Sequence, residues 1–509
     1  MGSHTHKKVS QNKKEKKNCS DDDSKIRKYI LFTYYLIFLL GIPIWWKTTT
    51  YYRASMPFYE MENARYKLES HLRFTPTFRI ENDPDGKLTD LSDKLINEEP
   101  QFPFYELQFT ESKEAADYSI CISKSSESSS YWKGRNLYLE YKEDISEKEI
   151  AIMLVNRLYE VFSPEIMDIS GKYSQLTSKN VPSKVYNKRS IQFSPQYRIL
   201  LSLILGEGSH DLYGWEIENA VAKYLHPLIQ QLSQIMNLTV ESQVQYFVDD
   251  PPVTSKEGEY RTAFSDFPKV VNNLEKYLTI NSNVREPTLH FVLYVPSQEI
   301  QPLKLEDQNG EEVATNSMLL PQWGSIIITN TNNSSSNLLQ DFDMRSQFRT
   351  ISKDLLLLLG VDDFSSFSLN PVVMERMLRQ RIAESLVATT DTLLNLSKLI
   401  KSIENMAVPK EIQLYVKEAL KSLDLAYDTL SERKLSKTLS YSTNSFEKAQ
   451  KALFHSSMVT TVYFPDESKY GIYAPLFAPI MIPLLLSFIR MVSNALRSMP
   501  VFQRKNKSA

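Results

Sequence analysis

Two uncharged hydrophobic segments, Tyr29–Trp46 and Gly471–Ile489, stand near the ends of this chain, and the mostly polar stretch 47–470 between them contains no third. Each is about the length a helix needs to cross a hydrocarbon core of roughly 30 Å at 1.5 Å per residue. The layout predicts a membrane protein with two transmembrane helices, one near each terminus, flanking a large lumenal mixed α/β domain with a helix-rich C-terminal half. The first segment ends in Trp45 and Trp46, rings suited to a membrane boundary, and lacks a small-residue cleavage site, so it reads as a retained anchor. A basic tail follows the second, which is unlike a cleaved C-terminal signal.

Charge orients the expected spans. Nine cations and four acids precede Tyr29, while the last twenty residues hold five cations and no acid, so a net charge of −2 leaves the middle near −12. Cations stay on the cytosolic side, which predicts cytosolic termini and a lumenal middle. The expected organisation is a basic cytosolic tail (1–28), a first span (29–46), a lumenal α/β domain (47–337), a lumenal helical region (338–469), a second span (470–490) and a second basic tail (491–509). An acidic middle argues against a nucleic-acid partner. Of the two cysteines, Cys19 lies in the first tail and Cys121 in the middle, so the topology forbids an internal disulfide. Cys121 is then a buried thiol or is paired with another chain.

Short motifs add to this reading. Asn237, Asn332, Asn333 and Asn395 each head an N-glycosylation sequon in the middle, the Asn332–Asn333 pair within the loop-like TNTNNSSSN. Lys505 and Lys507, fifth and third from the C-terminus, match the dilysine retrieval pattern of the endoplasmic reticulum. Pro475, Pro479 and Pro483 recur every four residues and line one helical face of the second segment. Each removes a backbone donor, and the freed carbonyls point to packing against helices of other chains. The alternative is an extended interfacial start to the segment.

Periodicity predicts strands at Phe74–Glu81, Phe104–Thr110, Tyr118–Ser123, Asn136–Tyr141, Tyr197–Gly206, Leu238–Val248, Thr288–Pro296 and Gly324–Thr331. Helices are expected over Ser146–Phe162, from Tyr213 to Met236, and then over Gln340–Leu359, Pro371–Ile400, Pro409–Leu430 and Ser431–Phe454. The Ser-rich SKSSESSSYWKG stretch reads as an exposed loop.

Chemistry is hard to find. A nucleophilic cysteine needs a general base within reach, and the histidines at 71, 210, 226, 290 and 455 are scattered without a motif. Gly206-Glu-Gly-Ser-His210 follows a strand but lacks the rest of a phosphate loop. His4 and His6 alone do not make a metal site. Asp249–Asp250 and Asp362–Asp363 sit beside turn residues, where solvated carboxylates are ordinary. No catalytic set, metal site or cofactor is expected, and Trp323 reads as a core or turn anchor.

The membrane-proximal runs GIPIWWKTTTYYRASMPF and VYFPDESKYGIYAPLFAPIMIPLLL resemble those of the PIG-S family, a subunit of the GPI transamidase complex. Leu225-His-Pro-Leu, Ser242-Gln-Val-Gln-Tyr246, His290-Phe-Val-Leu-Tyr-Val-Pro296 and Leu320-Pro-Gln-Trp-Gly324 agree and fall in the same order. Ser325 stands where the family's Trp-Gly-Gly turn carries a second glycine. The resemblance implies a non-catalytic endoplasmic reticulum subunit that supports assembly or substrate presentation. Its implied partners are the other transamidase subunits, including a cysteine-peptidase-like catalytic chain, together with precursor proteins bearing a C-terminal GPI signal and the GPI lipid. The residues alone leave open a membrane-tethered enzyme, or a binding or chaperone-like protein unrelated to GPI.

Overall fold

A computed structural model describes most of residues 52–458, with helical segments at 29–41 and 466–498. The longer stretches outside the described residues are 1–25, 177–188, 267–285, 459–465 and 499–509, and shorter ones include 207–211, 332–337 and 362–367. The chain divides into two compact units, one of residues 59–394 and 418–449, the other of 1–58, 395–417 and 450–509.

The larger unit is built on two five-stranded sheets that share one topology. The first runs β2 (Gln108–Phe109), β1 (Thr77–Glu81), β3 (Tyr118–Lys124), β5 (Asn136–Tyr141), β4 (Ser129–Lys133), parallel except for β4. The second runs β13 (Ser317–Leu320), β14 (Gly324–Ile328), β11 (Thr288–Val295), β6 (Gln196–Gly206), β8 (Asn237–Val248), parallel except for β13. In each sheet the first strand lies inside, the second forms one edge, the third and last parallel strands extend the other way, and an antiparallel strand closes that edge.

The covering helices repeat as well. Helix α1 (Phe58–His71) precedes the first sheet, α2 (Lys87–Glu98) follows β1, and α2 packs on α3 (Glu147–Leu176), which follows β5. After β6 the chain passes through β7 (Gly214–Trp215) into a helical run made of α4 (Ile217–Ala220), a π-turn (Val221–Leu225) and α5 (His226–Leu232). Tyr224 of that run meets Phe348 of α6 (Arg345–Leu358), which follows β14, with ring centroids 6.1 Å apart. The α/β region is thus a tandem structural repeat.

Sequence explains these elements locally. The run from Tyr197 to Gly206 is buried throughout, as an interior strand of a parallel sheet covered on both faces requires. Leu137 and Leu139 of β5 alternate inward from a half-exposed strand. Helix α3 opens on a capping box: the Ser146 amide donates to Glu149 Oε2 at 3.0 Å and the Glu149 amide to Ser146 Oγ at 3.4 Å. Its apolar stripe continues past Pro164 through Ile166, Ile169 and Tyr173, all buried, so the helix runs to Leu176 rather than stopping at Phe162. Pro164 costs the helix one hydrogen bond and crowds the carbonyl four residues before it, and the buried stripe outweighs that loss.

Between the repeat's strands lie β9 (Thr254–Lys256), β10 (Glu259–Ala263) and β12 (Leu303–Glu306), which form a three-stranded sheet, and β15 (Leu338–Leu339), which pairs with β7. The C-terminal half is helical as expected, with α7 (Pro371–Ser402), α8 (Lys410–Ser431), α9 (Leu435–Leu453) and α10 (Asp466–Ser498). In the smaller unit, the Arg53 guanidinium donates to the Ile400 carbonyl at 2.9 Å and the Ala54 amide to the Val408 carbonyl at 2.9 Å.

The expected pair of transmembrane helices is corrected here. Among the described residues, no helix is long and apolar enough to cross a membrane. The N-terminal helical run 29–41 reaches about 20 Å at the helical rise. Helix α10 is long enough, but Pro475, Pro479 and Pro483 interrupt its apolar part, and Asp466, Glu467, Lys469, Arg490 and Arg497 occupy its ends. The cytosolic termini and lumenal middle that were deduced from two spans lose their support with them. The Tyr35 hydroxyl of the first run donates to the Leu484 carbonyl of α10 at 2.7 Å, and its ring lies 5.9 Å from Phe488.

A second correction concerns the Ser-rich stretch. Ser129–Lys133 is strand β4, joined to β5 by a two-residue turn at Gly134–Arg135, where Gly134 adopts φ +62°. Tyr131 stacks on Tyr138 at 5.2 Å, and Trp132 meets Tyr118 edge-on at 5.9 Å.

Candidate functional site

The most developed polar site lies at the N-terminal ends of the first sheet's strands. Arg73 to Pro76 precede β1, Asp117 precedes β3 and Arg135 precedes β5. They face the start of α7 and the turn between α8 and α9, enclosing a cleft of about 500 Å³. Four arginines line it, at positions 73, 135, 379 and 433, against two acids, Asp117 and Glu375.

Both acids are engaged. Asp117 Oδ2 accepts from the Thr77 amide and hydroxyl, each at 3.0 Å. Glu375 accepts from the Tyr118 hydroxyl at 2.5 Å and from Arg135 Nη2 at 2.5 Å. Arg433 caps α8 with φ +59° and donates to Thr77 Oγ1 at 3.1 Å. Arg73 pairs with Glu106 at the surface, its side chain 61% exposed.

Beneath the cleft, Arg379 forks onto Glu165, with Nε to Oε1 at 2.7 Å and Nη2 to Oε2 at 3.1 Å, and its Nη1 donates to the Tyr118 hydroxyl at 3.1 Å. Glu165 is fully buried and Arg379 nearly so. Burial drives the Glu165 carboxyl above its ordinary value despite the guanidinium. Burial also opposes the Arg379 charge, but Glu165, Tyr105 and Tyr118 outweigh it, and the guanidinium stays charged. Such a bidentate pair fixes orientation as well as charge.

The second sheet closes the crevice where open parallel sheets usually take ligands, beyond the strand C-termini at the point where strand order reverses. Here that point lies between β6 and its neighbours. The Asp250 carboxylate occupies it, accepting from the Tyr294 hydroxyl and from the Ser297 amide at 3.2 Å. A Cβ on Gly206 would lie 2.6 Å from Asp250 Oδ1. Asp250 is therefore a structural acceptor, not the solvated turn carboxylate expected from its Pro neighbours.

Cys121 is a half-buried free thiol on β3, opposite Glu81 of β1, and its Sγ donates to Glu81 Oε2 at 3.3 Å. Burial, with the adjacent carboxylate, pushes it up to about 11. A carboxylate beside a thiol suppresses the thiolate that nucleophilic chemistry needs. Iodoacetamide at pH 7.5 should label Cys121 in the folded chain far more slowly than in urea, with intact-mass spectrometry as the readout; equal rates would contradict this geometry.

The remaining expected residues are dispersed. Asn237 opens β8 and Asn395 lies on α7, both exposed, while Asn332 and Asn333 lie outside the described residues. Pro475, Pro479 and Pro483 are exposed on α10. Lys505, Lys507, His4, His6, Cys19, His210 and Asp362–Asp363 lie outside the described residues. Trp323 packs against the second sheet's core and stacks on His290 at 5.1 Å, and burial pushes that imidazole down to about 4. Among the described residues no group of three or more His, Cys, Asp or Glu could hold a metal ion. Sequence reading missed the cleft altogether, because its arginines come from four separate segments with no shared motif.

The geometry defines a tandem α/β protein with a helical C-terminal half and polar side chains locked into structural pairs. A family model described as "PIG-S: Phosphatidylinositol-glycan biosynthesis class S protein" matches residues 32–498. The Schizosaccharomyces pombe "GPI transamidase component PIG-S homolog" is 50% identical over 475 residues, covering 93% of this chain and 85% of that protein. The Homo sapiens "GPI-anchor transamidase component PIGS" is 25% identical over 545 residues, covering 93% and 96%. The Saccharomyces cerevisiae "GPI transamidase component GPI17" is 25% identical over 505 residues, covering 93% of each. The chain belongs to the PIG-S family.

Proposed function

We propose that this chain is a non-catalytic component of the GPI transamidase, acting in the endoplasmic reticulum to support assembly or substrate presentation while GPI anchors are joined to precursor C-termini. The observation that carries this is the family match across nearly the whole chain, with a relative named as a transamidase component at 50% identity. The Cys121 environment supports the non-catalytic part, since a thiol beside Glu81 is held protonated. On this reading the catalytic cysteine belongs to a peptidase-like partner chain, and precursors bearing a GPI signal and the GPI lipid meet this chain through the complex. The exposed Pro475, Pro479 and Pro483 face of α10 docks another component, because prolines leave carbonyls that a neighbouring helix can satisfy.

Depleting the chain should cause GPI-anchored precursors to accumulate unprocessed, and affinity purification should recover a cysteine-peptidase-like partner in stoichiometric amount. Replacing the three prolines with leucine should reduce that recovery severalfold. Peptide mapping of the same preparations should find glycan on the exposed Asn237 and Asn395. Normal precursor processing after depletion would sink the reading, as would turnover by the purified chain alone; unchanged recovery would sink the proline face only.

A further inference from the structure

We propose that the outer edge of β8 is the docking site for an extended strand of a partner polypeptide, neutral or basic in its side chains and apolar where it meets Tyr246 and Phe247. The edge's own backbone and side chains carry this, whichever assembly the partner belongs to.

The two repeats treat one edge differently. β8 lies beside β6 as β2 lies beside β1, and each forms an edge of its sheet. β2 is two residues long, whereas β8 runs for twelve, against five in β4 and four in β13 on the opposite edges. Natural sheets guard an edge by shortening it or by placing lysine or proline on it. β8, which reads NLTVESQVQYFV, is long and carries neither. Among the described residues, no strand pairs with its outer side.

Hydrogen-bond direction defines what that side offers. The Asn237 amide donates to the Pro195 carbonyl at 2.9 Å, and the parallel register with β6 then holds without a break from Asn237 to Gln245. In a parallel pair, alternate residues of a strand bond to the same neighbour. Asn237, Thr239, Glu241 and Gln243 therefore turn towards β6, while Leu238, Val240, Ser242 and Val244 turn their amides and carbonyls away from it. These outward donors and acceptors recur every two residues, about 6.6 Å apart. Another extended strand repeats at the same interval, whereas a helix uses its backbone groups internally.

Charge and shape narrow the strand. Glu241 and Asp249 are the exposed charges on β8 and immediately beyond it, which disfavours an acidic partner. At the far end Tyr246 and Phe247 together stand opposite Leu205, a β-bulge. Phe247 adopts φ +57°, a conformation rare for a bulky residue, and is 70% exposed. The Tyr246 hydroxyl donates to the Tyr213 carbonyl at 2.6 Å, which sets a third exposed aromatic beside the bulge. Three solvent-facing aromatics at one end of an open edge form a shelf for apolar side chains of the added strand, while backbone pairing supplies its direction. The bulge also limits the length, leaving Leu238 to Val244 for regular pairing.

Site-resolved hydrogen exchange on the full chain, purified alone and within the assembly that co-purifies with it, tests this. In the isolated chain the Val240, Ser242 and Val244 amides should exchange at least about tenfold faster than those of Thr239, Glu241 and Gln243. In the assembly the outward three should slow by about tenfold or more. A photoreactive phenylalanine analogue in place of Phe247 should crosslink to a neutral or basic segment of a second polypeptide, identified by peptide mapping. Ser242→Pro removes an outward donor without touching the ladder to β6, so it should cut recovery of that polypeptide severalfold while the chain still melts within a few degrees of the parent. If Ser242→Pro unfolds the chain, the exchange measurement decides. Outward amides already protected in the isolated chain, no added protection in the assembly, crosslinking to an acidic segment or to a second copy of this chain, or full recovery with a folded Ser242→Pro variant would each overturn the proposal. Normal precursor processing after depletion would sink the transamidase reading and leave the edge result standing.

Discussion

Replacing Arg379 with methionine should destabilise the larger unit by about 3–5 kcal/mol at neutral pH, because it strands the Glu165 carboxylate in a site with no solvent. Glu165 is 0% exposed and accepts both of its guanidinium contacts from Arg379. The sign of the pH dependence follows from linkage. Burial already holds the Glu165 carboxyl above its unfolded-state value, and losing Arg379 removes the largest opposing influence. A carboxyl raised in the folded state contributes stability that is present below the unfolded pKa and is lost as pH rises through the folded value. The variant's deficit should therefore be small near pH 4.5, where the native state can hold Glu165 protonated, and should widen towards pH 8. Adding Glu165→Gln should recover most of the loss and flatten the pH dependence, since a pair removed together costs much less than a pair broken. Urea unfolding of the full chain between pH 4.5 and 8 is the measurement. A deficit below about 1 kcal/mol, or one independent of pH, would show that the pair is not structural in the way described.

The importance of that pair was not legible in the sequence, and the reason is physical. Glu165 and Arg379 are separated by more than two hundred positions, and neither sits in a pattern that marks it as buried. Glu165 follows Pro164, a residue that conventionally ends a helix, so the helix looked finished one turn before its most consequential side chain. By contrast, β3, β5, β6, β8 and β11 could be placed within a residue or so, because an alternating or continuous apolar run leaves few alternatives. Helices α7, α8 and α9 were legible for the same reason. Strand β4 was not: it is an edge strand with alternating exposed positions, and serine composition outweighed the Tyr131–Trp132 pair that fixes it. The two hydrophobic termini show the opposite failure, in which a conspicuous apolar composition predicted spans that the described helices do not form. Family resemblance succeeded where chemistry motifs failed, since it drew on ordered segments along the whole chain.

Gly324→Ala should be far more damaging than Gly134→Ala, although each adds a single methyl group to a hairpin glycine of positive φ. Gly324 opens β14 at φ +141°, opposite His290 in the register of β11, and a Cβ there would lie 1.8 Å from the His290 carbonyl oxygen, 2.7 Å from its carbon and 2.8 Å from its nitrogen. No rotamer can relieve a collision with backbone, and β11 cannot yield, because it is hydrogen-bonded to β6 on its other side. The expected result is loss of the β11–β14 pairing, at a cost above about 4 kcal/mol, in the range reserved for broken cores. Gly134 supplies the comparison, since it occupies the hairpin that feeds the last parallel strand of the other repeat. It also has a positive φ, +62°, but a Cβ there meets nothing within 4 Å. Gly134→Ala should therefore cost only the left-handed backbone penalty of about 1–2 kcal/mol. Ser325→Gly should lower stability by about 1 kcal/mol through added chain entropy in a buried strand. Thermal unfolding followed by far-ultraviolet circular dichroism ranks the three. If Gly324→Ala melts within a few degrees of Gly134→Ala, then backbone approach at His290 is not what requires glycine at the turn, and the repeat's two hairpins are equivalent in energetics as well as in topology.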